Sequence, residues 1–415
     1  MTDSKDPSEY IDSGVAKCKA KDYEGAISDF NKALEIDPRN TTAYKYRAEV
    51  KGDIFSDHEG AISDYTKAIS ISPNDSVLYN DRGINNSYLE NYQAAIDDYT
   101  KALEVNPQLK AALENRALDK SELKDYQGAI DDYYHLIKLE PEKEKEYLDR
   151  IISFSYQNSY YEGAINVFSK LIEREPLNSD HYFNRGLAKY DSCESELSAS
   201  AIEDFSKAIE LNPHCINYYR YRAAKRYLTG DYLGAIYDYS KLIGMEPKNF
   251  SWYEQRARNK FNLEDYKGAI DDCKMATKIA QMKNIIETSP IAYVWILLAD
   301  SQKALESYQE AVDNYTLAIE IANKDKNQLD FFLGDLYWKR GNTKLKSKEF
   351  HGAIVDISNA IKKSPKNSKY YKDRGLAKLG LEDYLGAIDD LTQSIDKSIG
   401  DEELYLYRAY AKTQI

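Results

Sequence analysis

The chain has 415 residues and a net charge of −13, from 69 acidic and 56 basic side chains. Its aromatic residues, 37 Tyr, 11 Phe and 3 Trp, are too many for a generally disordered chain, and no apolar run is long enough to span a membrane. The acidic balance disfavours nucleic acid as a partner, the N-terminal residues contain no secretory signal, and the four dispersed cysteines exclude a disulfide framework, so the composition predicts a cytoplasmic protein.

Seven prolines divide the first 250 residues into units of nearly equal length. They lie 34 to 37 residues apart: Pro38, Pro73, Pro107, Pro141, Pro176, Pro213 and Pro247. Before each proline, apolar residues recur at helical spacing, as in NYQAAIDDYTKALEVNP ending at Pro107. About 25 residues before each proline, an aromatic residue precedes Arg and Gly or Ala, as in YNDRG at Arg82. Each unit therefore predicts two helices, and the proline ends the second because it cannot continue a helix.

After Pro247 the proline marker lapses, but the helical pattern continues. Four further copies follow, namely YKGAIDDCKMA, YQEAVDNYTLA, FHGAIVDISNA and YLGAIDDLTQS, and a half copy, LYLYRAYAK, ends the chain. The ninth copy lacks the usual Arg, Gly and Pro, since Leu298, Glu310 and Asn323 replace them, and extra residues flank it. We expect lengthened second helices or loops there, and a bend. The predicted segments are 1–280 with repeats 1–8, 281–333 with an irregular repeat 9, and 334–415 with repeats 10 and 11 and a capping helix.

Small residues recur at two positions of the repeat, numbered from 1 in each copy. Position 20 is Ala in all eleven copies, and position 8 is usually Gly or Ala, as at Gly83 and Ala117. Small residues allow two helices to approach closely, and a single helix pair cannot bury its apolar face alone, so neighbouring pairs must stack.

This pattern resembles the tetratricopeptide repeat (TPR) family over almost the whole chain. The resemblance implies an all-α, right-handed α-solenoid of about eleven TPR helix pairs plus a C-terminal capping helix. It also implies a non-enzymatic scaffold that binds a peptide or helical segment of a partner protein on the concave surface. The alternative is a regulatory or targeting subunit of an enzyme complex. The oligomeric state and the identity of the partner do not follow from the sequence.

Charged residues also recur in step with the repeat. Position 7 is Arg in most copies: Arg47, Arg82, Arg116, Arg150, Arg185, Arg222, Arg256, Arg340, Arg374 and Arg408. Position 23 is Asp in most copies: Asp29, Asp64, Asp98, Asp132, Asp204, Asp238, Asp272, Asp356 and Asp390. We interpret these residues as a ladder of ion pairs. Pairing within a repeat is preferred, because Leu298 and Asn314 lose both charges together in repeat 9, while pairing with the next repeat stays open.

In the family, positions 2, 5, 9, 12 and 13 of the first helices look into the concave face. Carried over to repeats 6 to 8, these positions predict a partner-binding groove of aromatic and charged residues. Its members are Phe183, Leu187, Tyr190, Arg220, Tyr227, Glu254, Arg258 and Phe261. The alternative is an ordinary Tyr-rich surface without a binding role.

A basic stretch stands out against the acidic whole. Residues 324–378 contain 14 Lys and Arg against 6 Asp and Glu. The candidate basic patch consists of Lys339, Lys344, Lys346, Lys348, Lys362, Lys363 and Lys366. The stretch is either a solvated surface of mixed charge or a dock for an acidic partner.

Motifs for catalysis or cofactor binding were not found in the sequence. There is no CxxC, HExxH or phosphate-binding GxxxxGK[ST] segment, and paired acids such as Asp97 and Asp98 recur with the repeat, as structural residues do. We therefore expect no catalytic residue, no metal and no cofactor. The expected partner is a protein or peptide, with no nucleic acid and no direct membrane insertion.

Overall fold

The computed structural model describes residues 6–192, 195–285, 289–324, 330–397 and 402–415. Within these ranges the chain forms 23 α-helices and no strand. The first helices of the pairs are α1 (Pro7–Lys19), α3 (Thr41–Glu49), α5 (Ser76–Tyr88), α7 (Lys110–Glu122), α9 (Glu144–Gln157), α11 (Ser179–Asp191), α13 (Ile216–Leu228), α15 (Phe250–Asn262), α17 (Ser289–Ala304), α19 (Asp330–Lys346), α21 (Ser368–Leu379) and the final α23 (Glu402–Thr413). The second helices are α2 (Tyr23–Ile36), α4 (His58–Ile71), α6 (Tyr92–Val105), α8 (Tyr126–Leu139), α10 (Tyr161–Arg174), α12 (Ser195–Leu211), α14 (Tyr232–Met245), α16 (Tyr266–Met282), α18 (Tyr308–Lys324), α20 (Phe350–Lys363) and α22 (Tyr384–Lys397). The all-α repeat fold is confirmed, and these helices fit the predicted eleven pairs and final helix.

The chain divides into two compact units, Met1–Ser198 and Ala199–Ile415. The predicted division at residues 280 and 333 stays a prediction. Around repeat 9 the second helices are longer, as expected: α16 and α18 have 17 residues each, whereas α6 has 14. Residues 286–288 and 325–329 of the flanking insertions lie outside the described residues.

The small residues lie where the two helices of a pair touch. Every Ala at position 20 has no exposed surface, from Ala26 in the first repeat to Ala387 in the last. At position 8, a Cβ added to Gly83 would lie 2.6 Å from the ring of Tyr99, which packs directly on the glycine backbone. A larger residue at either position would therefore push the two helices apart.

In most repeats a Gly precedes the Ala of position 20, and this Gly helps to cap the second helix. Six second helices begin after an Asp whose carboxylate accepts a hydrogen bond from this glycine's backbone N–H: Asp22, Asp57, Asp125, Asp231, Asp265 and Asp383. A Cβ on Gly128 would lie 2.1 Å from Oδ2 of Asp125, so only glycine leaves room for the cap. Caps of this kind stabilise a helix by about 1 kcal/mol each.

Repeat 2 contains one additional residue, and the backbone absorbs it locally. Arg47 and Asp64 are 17 residues apart, whereas Arg82 and Asp98 are 16 apart. The extra residue is accommodated by a π-helical turn at Val50–Ile54, directly after α3. Such a turn inserts a residue without interrupting the helix. The ion pair therefore forms in repeat 2 as in its neighbours.

Candidate functional site

Most of the ladder arginines pair within their own repeats, as predicted. Arg116 donates from Nε to Asp132 Oδ2 at 3.0 Å and from Nη2 to Oδ1 at 2.5 Å. The same two-pronged contact is made by Arg47, Arg82, Arg222, Arg256, Arg340 and Arg374. The third nitrogen of Arg116 reaches the Thr100 hydroxyl of the preceding repeat at 3.1 Å. Each such arginine therefore joins the two helices of its own repeat and links them to the second helix of the preceding repeat.

The sequence missed the third member of this ladder. Four residues after most ladder arginines, a second basic residue binds the same carboxylate, as Lys120 does with Asp132 at 2.9 Å. In repeat 3, Asn86 takes this place and donates to Asp98 at 3.0 Å. Lys120 also donates to the carbonyl of Gly128 at the start of the second helix. In repeat 9 a neutral version replaces the charges, since Asn314 donates to Gln302 at 2.7 Å. The ladder is therefore internal to the fold and leaves these charges unavailable to a partner.

Arg150 is an exception, and its assignment to the ladder was wrong. It pairs with Glu146 and Glu114 on the surface rather than with an aspartate of its own repeat. The buried pair at this level is Ile151 and Val167, which are 16 residues apart and fully buried in one apolar cluster. In repeat 5 an apolar contact thus replaces the ion pair, one residue after the arginine that resembles a ladder member.

Tyrosine is abundant partly because it supports the ladder. Three residues before most ladder arginines, a tyrosine ring lies beside the guanidinium, with Arg82 5.9 Å from the ring centre of Tyr79 and Arg256 5.7 Å from that of Tyr253. Arg116 is an exception, because Leu113 takes this place in repeat 4. Cation–π contacts of this kind stabilise the pair by about 0.5–1 kcal/mol. Tyrosine at this position therefore has a structural role, and its presence does not by itself indicate a binding site.

A row of depressions lies along the first helices of the first unit. We call the surface formed by consecutive first helices the first-helix face; within the units, α5 contacts α7 and α19 contacts α21. Depressions of about 230, 200, 760 and 540 Å³ involve α1 with α3, α5 with α7, α7 with α9, and α9 with α11, respectively. Leu118 of α7 is 58% exposed and lines both the second and the third depression.

The two largest of these four depressions lie on either side of α9. Repeat 5 has Ile152 at position 8, where most repeats have Gly or Ala. The half-buried Ile152 packs beside Phe168 of α10 in one apolar cluster, and both side chains line the depression between α9 and α11.

The depression between α5 and α7 contains an unusual carboxylate. Asp119 is 4% exposed, and its Oδ1 accepts a hydrogen bond from the Ser87 hydroxyl at 2.7 Å. Its Oδ2 is buried and has no hydrogen-bond partner among the described residues. Burial raises the pKa of Asp119, because no cation compensates its charge. The sequence analysis did not identify Asp119. The only available signal was that the equivalent residues of the neighbouring repeats, Asn85 and Phe154, are not ionisable.

The tetratricopeptide repeat model matches this chain at residues 13–40, 78–109 and 292–325. The chain therefore contains tetratricopeptide repeats at these three positions. No curated protein sequence matches this TPR chain.

Solved structures of low sequence identity resemble this TPR protein. Yeast Tom70 is 19% identical, with 98% of this chain and 95% of that chain covered and a TM-score of 0.36. The structure of Naa15/Naa10 bound to HypK-THB is 12% identical, with coverages of 98% and 66% and a TM-score of 0.49. YrrB, described as a TPR protein with an unusual peptide-binding site, is 18% identical, with coverages of 51% and 99% and a TM-score of 0.41. These likenesses assign no partner and no site to this chain.

The predicted groove residues fall in both units of the TPR chain, and each group is described within its own unit. Phe183, Leu187 and Tyr190 lie on α11 in the first unit, with helical spacing that places them on one face. All three are half-buried. Their role in binding stays a prediction.

In the second unit, three predicted groove residues lie together. Arg258 of α15 donates to Glu254 one turn earlier at 2.5 Å and also interacts with Tyr227 of α13. The Nε atom of Arg258 is buried without a hydrogen-bond partner among the described residues. Glu254 is buried, and Gln255 donates to its other oxygen.

The two remaining groove residues are engaged with their own neighbours. Arg220 is exposed and its guanidinium lies 4.8 Å from the ring centre of Tyr221. Phe261 is half-buried and packs edge-on against Tyr266 at 5.3 Å. The structure therefore groups Tyr227, Glu254 and Arg258 more closely than the full predicted set.

The predicted basic patch divides into two kinds of lysine. Lys339 pairs with Asp300 at 2.8 Å, and Lys344 is the ladder lysine that pairs with Asp356 at 3.0 Å. The other members are exposed: Lys346, Lys348, Lys362, Lys363 and Lys366. Residues 325–329 of the basic stretch lie outside the described residues. Whether this surface docks an acidic partner stays a prediction, and only the exposed group is suited to it.

Two general observations concern the helices that the structure describes. None of them combines the length and apolar character that a membrane-crossing helix requires. In the same described ranges, no three His, Cys, Asp or Glu side chains are grouped as metal ligands.

Proposed function

We propose that this chain is a non-enzymatic scaffold that binds a peptide or helical segment of a partner protein on its first-helix face. The row of depressions between consecutive first helices of the first unit supports this proposal most strongly. Their volumes, from about 200 to about 760 Å³, suit individual side chains of a bound segment. A segment lying across the helices would place successive side chains in successive depressions.

The distribution of charge supports the same surface. The ladder pairs the charges of its Arg, Asp and Lys residues inside each repeat, so these charges contribute little to the attraction of a partner. Between the helices of the first-helix face, by contrast, exposed apolar residues such as Leu118 and polar groups such as Asn115 line open depressions. A combination of apolar contact and a few polar groups is typical of peptide-binding surfaces.

Affinity purification with the full chain and two variants tests the proposal. Leu118→Glu places a charge between two depressions, whereas Leu177→Glu, at a residue 82% exposed between α10 and α11, is the matched control. Partners should be lost with Leu118→Glu and retained with Leu177→Glu. Equal recovery by both variants contradicts binding at this face.

The same purification separates the two functional alternatives. A scaffold should recover several partners, whereas a regulatory or targeting subunit should recover one enzyme in stoichiometric amount. Quantitative mass spectrometry of the recovered proteins gives the ratio directly.

A further inference from the structure

The depression between α5 and α7 differs from the others because it contains a buried charge without a counter-charge. It is lined by Ser87 and Tyr88 of α5, Tyr99 of α6, and Asn115 and Asp119 of α7, and measures about 200 Å³. The ladder carboxylate Asp132 is equally buried, yet receives Arg116 and Lys120. Asp119 receives only the Ser87 hydroxyl, on one of its two oxygens.

A buried carboxylate without a cation is costly, and folding alone gives no reason to keep it. The other residues at this place in neighbouring repeats, Asn85 and Phe154, show that the helix pair folds without an acid there. The terminal torsion of an aspartate is soft, so the carboxylate can turn toward a donor that enters the depression.

We infer that this depression is a subsite for a lysine or arginine side chain of the bound segment, with Asp119 as its charge partner. The inference rests on the proposed function, and it specifies which side chain of the bound segment the first-helix face recognises. Asp119 would accept the N–H groups of the cation, and the exposed ring of Tyr88, one face of which stacks on His58, offers its other π face to the charge.

The surroundings favour a basic segment over an acidic one. Residues 41–132 contain 17 acidic and 10 basic side chains, and five of the basic ones belong to the ladder: Arg47, Lys51, Arg82, Arg116 and Lys120. Glu49 of α3 and Asp81 of α5 are partly buried acids of the same first helices, and burial raises the pKa of both. Lys45 lies 3.8 Å from Glu49 and offsets part of the charge of both acids, while the negative charge of Asp53 acts on each of them. Three acids thus share one lysine, which leaves a negative field that favours a cation.

Selection from a random ten-residue peptide library displayed on phage tests the subsite with the full chain. Wild type, Asp119→Asn and Asp131→Asn are compared; Asp131 is an exposed acid of α8 bonded to Gln127, so its variant makes the same charge change outside the depression. Wild type and Asp131→Asn should enrich peptides with Lys or Arg at one fixed position. Asp119→Asn should enrich peptides without that preference.

Calorimetry on an enriched synthetic peptide then measures the contact itself. Replacing its conserved basic residue by norleucine should weaken binding to wild type about tenfold or more, and leave binding to Asp119→Asn nearly unchanged. Should Asp119→Asn fail to fold, Tyr88→Ala takes its place, because Tyr88 is 68% exposed and its loss removes a cation–π contact without touching the core.

The outcomes separate this inference from the proposed function. Peptides enriched by wild type without a basic preference, or a basic preference that survives in Asp119→Asn, overturn the subsite alone. A library from which wild type enriches no peptide overturns peptide binding and the subsite together.

Discussion

Replacing Asp132 with alanine should remove the carboxylate that holds two cations of the fourth repeat. Asp132 is 3% exposed, while the side chains of Arg116 and Lys120 are each 16% exposed, so both cations would remain largely out of water. Removing one partner of a buried ion pair costs about 3–5 kcal/mol. The two cations keep their bonds to Thr100 and Gly128, so we expect a loss of about 2–4 kcal/mol in the free energy of unfolding.

Urea denaturation followed by circular dichroism measures this loss, and the adjacent residue supplies the control. Asp131→Ala removes an exposed carboxylate and should change stability by no more than about 0.5 kcal/mol. A triple variant, Arg116→Leu, Lys120→Gln and Asp132→Asn, copies the neutral arrangement of repeat 9 and should recover much of the loss, because no charge is left unpaired.

The reasoning is refuted if Asp132→Ala costs no more than Asp131→Ala. It is also refuted if the triple variant is less stable than the single one, since burial of unpaired cations would then not be the cause of the loss.

Three further predictions follow from the same structure. Ala95→Leu should overpack the helix pair and cost about 1–3 kcal/mol, and an unchanged urea midpoint would show that the residue does not lie where the helices touch. Hydrogen bonds from Lys110, Tyr147 and Lys143 lower the pKa of Glu140 from 4.5 to about 2. The stability that this carboxylate contributes is therefore present above pH 4.5 and is lost as the pH falls toward 2. Glu140→Gln should be less stable than wild type in denaturation at pH 7, and the difference should be smaller at pH 3. Once a partner is known, surface plasmon resonance should show that Tyr227→Ala raises the dissociation rate of the partner at every salt concentration. Charge reversal at Lys346 and Lys348 should instead slow association, chiefly at low salt. A Tyr227→Ala variant from which the partner dissociates as from wild type would exclude the predicted groove at Tyr227.

The repeat positions explain how much of the fold could be predicted from the sequence. Ala95 and its equivalents are small because the helices touch there, and each repeat presents the same constraint, so the pattern is visible in one sequence. The pairing of Arg116 with Asp132 was predictable for the same reason, since both charges vanish together in repeat 9.

Repeat 5 shows where the same reasoning fails. Arg150 resembles a ladder arginine in its local sequence, but the structural equivalent is Ile151, one residue later, and a helix turns by about 100° per residue. A comparison of residue types cannot detect that shift, because the apolar residues Ile151 and Val167 occupy the two buried positions that Arg and Asp occupy in other repeats.

The candidate site was less predictable, because the depressions depend on the separation of consecutive helices. The sequence directed attention to aromatic and arginine residues such as Tyr227 and Arg258, since these types dominate binding surfaces. The lone buried acid Asp119 belongs to no motif. Its significance appears only when the absence of a partner for Oδ2, among the described residues, is seen in the structure.

Photo-crosslinking tests the central claim, that partners bind on the first-helix face of the first unit. Benzoyl-phenylalanine is incorporated into the full chain either in place of Leu118, between two depressions, or in place of Leu177, which is exposed outside the depressions. Irradiation in an extract of the source cells should crosslink partner protein to the chain labelled at position 118 and not to the chain labelled at position 177. Crosslinking from position 177 alone would contradict the claim.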